Sequence, residues 1–210
     1  MLPADLIHVD DAVIVANKPA GLLAVPGRGA DKADCLAERV RGQFGDALIV
    51  HRLDMATSGL MVLARGAAAQ RSLSMAFADR RVEKGYVAIV DGLLAANQGE
   101  IDWPLAADWP NRPRQMVCAL RGKPSLTRWQ VIERDASLVR TRLALQPVTG
   151  RSHQLRVHLA AFGHAILGDE LYAAPRVAAA APRLLLHASR LVFMHPVSGE
   201  AMDFASAAPF

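Results

Sequence analysis

The segment His51-Arg52-Leu53-Asp54-Met55-Ala56-Thr57-Ser58-Gly59 crowds an imidazole, a guanidinium, a carboxylate and two hydroxyls onto one short stretch. A carboxylate there can serve as a nucleophile, a general base or a metal ligand. It can also be an Asx-turn residue that satisfies loop amides. The metal reading fares worst. His51, His153, His158, His164 and His187 are the available ligands, and only His153 and His158 are close in sequence. Their i,i+5 spacing offsets them around a helix, unlike the i,i+4 pair with an intervening glutamate that holds zinc in proteases. No metal is expected.

A second constellation is Pro147-Val148-Thr149-Gly150-Arg151-Ser152-His153-Gln154-Leu155-Arg156-Val157-His158-Leu159. Thr149 can cap a helix here, and Arg151 in its first turn adds charge where free amides already favour anions. Such a site binds phosphate or orients a carboxylate bidentately; an ordinary capped, basic amphipathic helix has the same pattern. A third piece, Glu83-Lys84-Gly85-Tyr86-Val87-Ala88, places an aromatic hydroxyl at a strand start, where Tyr86 taken alone reads as core packing with a wet tip. Lastly, Arg112, Arg114, Arg121, Lys123 and Arg128 fall in a stretch with no acidic residue, beside Trp103 and Trp109. Most such clusters are solvated faces, although flat aromatics next to guanidinium groups suit bases and phosphates.

The elements that must position these groups follow from apolar periodicity. Residues 13–16 form an apolar run broken by the turn Asn17-Lys18-Pro19-Ala20-Gly21, and residues 33–40 have helical character. Residues 47–50 and 60–64 read as buried strands, which anchor the polar segment 51–59 between them as a loop. Residues 67–78 read as a helix with Leu73 and Phe77 in i,i+4 register, and 86–90 as a strand. Residues 127–132 and 138–145 look like a strand pair around a polar turn at 133–137. The helix capped by Thr149 carries Leu155, Leu159 and Phe162 and stops near Gly163; the alanine-rich stretch 173–181 reads as helix or loop. Strands outnumber helices, which predicts an α+β fold with a mixed, largely antiparallel sheet.

Composition sets the frame. In 210 residues, 52 % are hydrophobic and 21 % charged, the balance of a compact chain rather than a disordered one. No apolar stretch reaches the ~18 residues needed to span a bilayer. The opening Met-Leu-Pro-Ala-Asp lacks the layout of a signal peptide, so a cytoplasmic location is expected. Cys35 and Cys118 are read as reduced and structural. Twenty-four Lys and Arg against twenty Asp and Glu leave a net charge of +4, which permits an anionic partner without demanding one.

Each signal is ambiguous alone, but together they resemble the RluA family of pseudouridine synthases over nearly the whole chain. Asp10-Asp11 followed by Val15-Ala16-Asn17-Lys18-Pro19-Ala20-Gly21-Leu22 resembles the family's first block. His51-Arg52-Leu53-Asp54 with Thr57-Ser58-Gly59 resembles its catalytic signature, and Lys84-Gly85-Tyr86 the strand with its active-site tyrosine. Gly150 to His158, Gly163-His164 and Gly168-Asp169 resemble the third block, and Leu184-Leu185-Leu186-His187-Ala188 the last. Asp54-Met55-Ala56-Thr57, Asp108-Trp109-Pro110-Asn111-Arg112-Pro113 and Pro182-Arg183-Leu184-Leu185-Leu186-His187 narrow the likeness to the family's dual-specificity branch. That branch modifies a 23S rRNA hairpin and the anticodon stem-loop of some tRNAs. Two positions depart from the pattern. Ser152 stands where many relatives have threonine and keeps the hydroxyl, and Gly85 is smaller than usual, which would loosen the strand beside Tyr86.

The resemblance implies a pseudouridine synthase catalytic fold, a sheet flanked by helices with a central RNA-binding cleft. It implies one catalytic domain over residues 1–210 and no S4 domain, since the family core begins almost at Met1. It implies that Asp54 is the catalytic carboxylate, that Arg151 pairs with it, and that Tyr86 stacks beneath the uracil. Arg52 would enter the space left by a flipped base, and Leu186 would pack against Tyr86. His51, Thr57, Arg156, Arg112 and Arg114 would complete the substrate-binding set. The product is an isomer of the substrate, so no cofactor is implied. The partner is structured RNA, with no membrane and no metal, and the chain is expected to be a monomer. Whether Asp54 bonds to the sugar, adds to the base or helps form a glycal stays open at this level. Two rivals remain. One is an RNA-binding module that lost catalysis, against which the intact Asp54, Tyr86 and Arg151 speak. The other is a glycosidase-like hydrolase, which needs a second carboxylate, with Asp169 the weak candidate.

Overall fold

The structure is a computed structural model that describes residues 4–27 and 33–210. In chain order the elements are β1 (Asp5–Val9), β2 (Val13–Lys18), α1 (Leu36–Arg41), β3 (Ala47–Ile49), β4 (Ser58–Arg65), α2 (Gly66–Ala78), β5 (Glu83–Asp91) and β6 (Gln98–Asp102). There follow β7 (Leu105–Ala107), β8 (Gln115–Val117), β9 (Leu126–Asp135), β10 (Arg140–Pro147), α3 (Gln154–Ala161), α4 (Pro175–Ala178), β11 (Leu186–Met194) and β12 (Ala201–Ala205). They form two compact units, one from Met1–Lys84 with Ala188–Pro209, the other from Gly85–His187 with Phe210.

In the first unit β1, β2 and β4 run antiparallel in sequence, β3 also pairs with β4, and β12 pairs with β11. Every residue of β4 from Ser58 to Ala64 is buried, which explains a run with no polar alternation: both faces are covered. One face meets α2, whose Ala69, Leu73 and Ala76 are buried on a single stripe with Val13, Val15, Leu60 and Val62. Gly59 has φ +115° and lies so close to β11 that a Cβ there would sit 2.3 Å from the Ala188 carbonyl oxygen. Only glycine fits that approach.

In the second unit β5, β10, β9 and β6 lie side by side in that order, each pair antiparallel, with β7 and β8 as a separate hairpin. Along β10, Thr141, Leu143, Leu145 and Pro147 are buried and their neighbours are not, the period-2 pattern of a strand with one face on the core. Tyr86 of β5 sits opposite Leu145 in this register.

The expected α+β, largely antiparallel architecture is the one observed. The expected strands at 13–16, 47–50, 60–64, 86–90, 127–132 and 138–145 all form, several of them longer than expected. β1, β6, β7, β8, β11 and β12 were not foreseen. β1 and β6 are short and polar enough to show no apolar run, and β7 and β8 are three residues each. One boundary is corrected: α3 begins at Gln154, so Thr149 is not its cap and Arg151 is not in its first turn.

Candidate functional site

Asp54 lies half-buried on a turn closed by the Thr57 amide, which donates to the Asp54 carbonyl at 3.1 Å. The next residue is gripped from two sides. The Met55 carbonyl accepts the Gly21 amide at 2.9 Å and the Lys18 ammonium at 3.0 Å. Lys18 is fully buried at the end of β2 and also donates to the carbonyls of Pro19 at 2.9 Å and Leu22 at 2.7 Å. A buried ammonium needs its protons satisfied. Here that need ties the 19–22 turn to the loop carrying Asp54. Sequence reasoning read Lys18 only as part of a turn; the signal was a lysine ending an apolar strand.

The neighbours of Asp54 divide in role. Arg52 is exposed and makes no ion pair or hydrogen bond among the described residues. Thr57 is buried at 3 % exposure. His51, expected to touch substrate, is partly buried and turned toward β4 and α2. Its Nε2 accepts the Val62 amide at 3.1 Å and its ring stacks on Phe77 at 4.4 Å between centroids. Burial, helped by the nearby Lys84 charge, pushes its pKa from 6.5 down to about 3, so it stays neutral.

In the second unit Arg151 sits on a turn built by buried polar side chains. Gln154, buried beneath it, accepts the Arg151 amide at 3.1 Å and the Thr149 hydroxyl at 2.7 Å through Oε1. Its Nε2 donates to the Leu126 carbonyl at 3.0 Å and Thr127 Oγ1 at 3.1 Å. His158, wholly buried, adds contacts of 2.9 Å to Thr127 Oγ1 and to the Trp103 carbonyl, and burial depresses its pKa. Thr149 thus feeds the side chain of Gln154 and takes the Leu126 amide at 3.0 Å, rather than capping a helix. His153 closes the turn in the left-handed region at φ 54°, with Nδ1 2.6 Å from the Tyr172 hydroxyl. A fully satisfied buried network of this kind fixes backbone position. Arg151 itself reaches the Pro124 carbonyl through Nε at 3.3 Å.

Tyr86 is half-buried in β5, with Gly85 inside the same strand, and Leu186 is buried at 3 % exposure. Arg112 lays its guanidinium over Trp109, 3.1 Å from the ring centroid, and Arg114 lies 5.5 Å from the centroid of Tyr172. Arg128 of the same cluster is engaged by Glu100 at 2.8 Å. Arg156, expected in the substrate-binding set, is 5 % exposed and grips Asp169 bidentately at 2.8 and 2.7 Å. The same bond removes Asp169 as a second catalytic acid, since its Oδ1 also takes the Leu171 and Tyr172 amides. Among the described residues no group of three or more His, Cys, Asp or Glu is placed to hold a metal ion. Both cysteines are free thiols, and Cys35 Sγ accepts the Glu38 amide at the start of α1. No helix of the described residues is long and apolar enough to cross a membrane.

The first unit thus presents a strand-anchored loop carboxylate, and the second a braced arginine turn with basic, aromatic surroundings. The family model for RNA pseudouridylate synthase matches residues 12–161, and the chain belongs to that family of isomerases. Dual-specificity RNA pseudouridine synthase RluA of Escherichia coli (strain K12) is 49 % identical over 205 residues, covering 98 % of this chain and 93 % of that protein. The protein of the same description from Yersinia pestis is 50 % identical over 205 residues, covering 98 % and 99 %. Among solved structures, human RNA Pseudouridylate Synthase Domain Containing 1 superposes with a TM-score of 0.82 at 28 % identity, covering 99 % of this chain and 84 % of that one.

Proposed function

We propose that this chain isomerises uridine to pseudouridine in two kinds of structured RNA, a 23S rRNA hairpin and the anticodon stem-loop of some tRNAs. It acts as a single catalytic domain, a monomer in the cytoplasm, and needs neither metal nor cofactor. The reaction breaks the C1′–N1 bond, turns the uracil and joins C1′ to C5; N1 gains a proton and C5 loses one, so nothing is oxidised or consumed. Asp54 is the carboxylate that attacks or stabilises the reacting nucleotide. Arg151 is the guanidinium of the catalytic set, suited to orienting a carboxylate or phosphate. Tyr86 stacks beneath the base with Leu186 packed against it, and its hydroxyl moves a proton during rearrangement. Arg52, with no partner of its own among the described residues, fills the stack vacated by the flipped base. Arg112 and Arg114, braced on aromatic rings, contact the phosphate backbone.

The observation that carries this reading is the immobilised turn at Asp54, held by the Thr57 amide on one side and by Lys18 and Gly21 through Met55 on the other. A nucleophile must be held in place before substrate arrives. The test is incubation with each RNA tritiated at uracil C5, since isomerisation releases that label to water. The unaltered chain should release tritium from both RNAs, and Asp54→Asn should lose on the order of 10⁴-fold or more. Near-normal turnover by Asp54→Asn would overturn the assignment. Free uracil in solution would point instead to a hydrolase.

A further inference from the structure

Arg121 and Lys123, the two cations of the basic stretch that have neither a ring nor a carboxylate to rest on, face a cavity of 440 Å³. Its walls are the β7–β8 hairpin, the 121–123 segment and the turn at 150–152, with Trp109 and Arg151 at the edges. Lys123 is anchored by its backbone, which exchanges hydrogen bonds of 2.8 and 3.0 Å with Leu105, so its side chain is not needed for the fold. Arg151 reaches the adjoining Pro124 carbonyl. Three cations therefore line one hollow, and no acidic residue lines it. Such a lining favours an anion. The size suits a small polar ligand or one nucleotide unit. Trp109 remains 64 % exposed although Arg112 covers part of its ring, which leaves it able to stack on a base.

We propose that this cavity is a second nucleotide subsite, holding a nucleotide that flanks the target uridine, with its phosphate on Arg121 and Lys123 and its base or ribose against Trp109. The inference rests on the chain acting on RNA as proposed above. Neither Asp54 nor Tyr86 lines the cavity. Arg151 does, so RNA seated here meets a guanidinium also assigned above to the catalytic set. Phosphate contacts position the strand, and this one sets how far along it the uridine falls.

Binding of a synthetic anticodon stem-loop and of a 23S rRNA hairpin, followed by fluorescence anisotropy across a salt series, tests the subsite. The double variant Arg121→Ala/Lys123→Ala should bind both RNAs more weakly, with the salt slope reduced by about one for the one phosphate given up. The charge-conserving Arg121→Lys/Lys123→Arg should restore the slope. Ala107→Trp, which fills the cavity and keeps every cation, should weaken binding as well. If the double variant binds with an unchanged Kd and salt slope, the subsite is wrong. If the unaltered chain binds both RNAs yet releases no tritium from either, the isomerase reading fails instead, and the two failures are told apart in one set of samples.

Discussion

The ammonium of Lys18 lies 3.0 Å from the carbonyl oxygen of Met55, so a cation at the end of β2 holds the residue that follows the candidate catalytic carboxylate. Two further carbonyls, of Pro19 and Leu22, share the same ammonium. Lys18→Met keeps the apolar stem and removes all three bonds. Met55 keeps the Gly21 amide, so two acceptors lose their partner, and at about 1–3 kcal/mol each the loss should be about 2–6 kcal/mol, read as a lower midpoint in thermal or urea unfolding. Below that midpoint the variant should also lose turnover in tritium release, because the loop of Asp54 gains freedom. Lys18→Arg should not rescue it, since a planar fork cannot meet three carbonyls arranged around a point charge. Wild-type stability in Lys18→Met would mean that the tether carries no load.

Gly59 provides the second constraint on the same loop. Any Cβ at this position would lie 2.3 Å from the Ala188 carbonyl oxygen and 2.5 Å from its amide nitrogen, and φ is +115°. Backbone atoms of a packed strand do not yield as a side chain would. Gly59→Ala should therefore destabilise by more than the ~1 kcal/mol that an ordinary glycine-to-alanine strain would impose, with aggregation on expression as the plain readout. Gly45, around whose position nothing lies within 4 Å of a built Cβ, is the matched control and should tolerate alanine.

His51 gives the fold a pH dependence. The unfolded imidazole takes up a proton near 6.5, whereas the folded one resists until about 3 because it is buried, with the Lys84 charge adding to the effect. Between those values the unfolded chain binds more protons, so stability is full above about pH 6.5 and falls as the pH drops through that window, by up to ~1.4 kcal/mol per unit. Urea midpoints measured from pH 7 to pH 4 should show the decline. His51→Gln removes the titrating group while retaining an acceptor for the Val62 amide, and it should flatten the curve; an unchanged slope would assign the acid sensitivity elsewhere.

The loop of Asp54 was legible because a polar segment between two apolar runs can only be a connection held by strands, and residues 47–49 and 58–65 are those strands. The turn of Arg151 was misplaced for a physical reason. A threonine before a helical pattern looks like a cap, yet the hydroxyl of Thr149 goes to the side chain of Gln154, which lies five residues on and is itself buried by β9. Lys18 was illegible in its role because the partner that ties it to the loop of Asp54, the Met55 carbonyl, lies 37 residues away and reaches it only on folding. The resemblance put Arg156 in the substrate-binding set; its burial depends on Asp169, thirteen residues away, folding back onto it. Local pattern reports which residues are polar, and tertiary structure decides which of them face water.

Arg156 and Asp169 make the sharpest separation between a structural and a binding role. With exposures of 5 % and 1 % on the two side chains, neither charge has water to fall back on. Removing one partner leaves the other buried and uncompensated, a loss of about 3–5 kcal/mol. Arg156→Ala should thus unfold at clearly lower urea, and at temperatures where it remains folded its RNA salt slope should match that of the unaltered chain. A direct phosphate contact would behave in the opposite way, with stability kept and the slope reduced by about one. Arg156→Met/Asp169→Leu removes both charges while keeping apolar volume, and it should recover much of the lost stability, because two absent charges cost less than one buried alone. Should the double variant be as unstable as the single, the amides of Leu171 and Tyr172 that Asp169 also accepts would be the dominant debt, and Asp169 rather than Arg156 would be the residue that holds this segment.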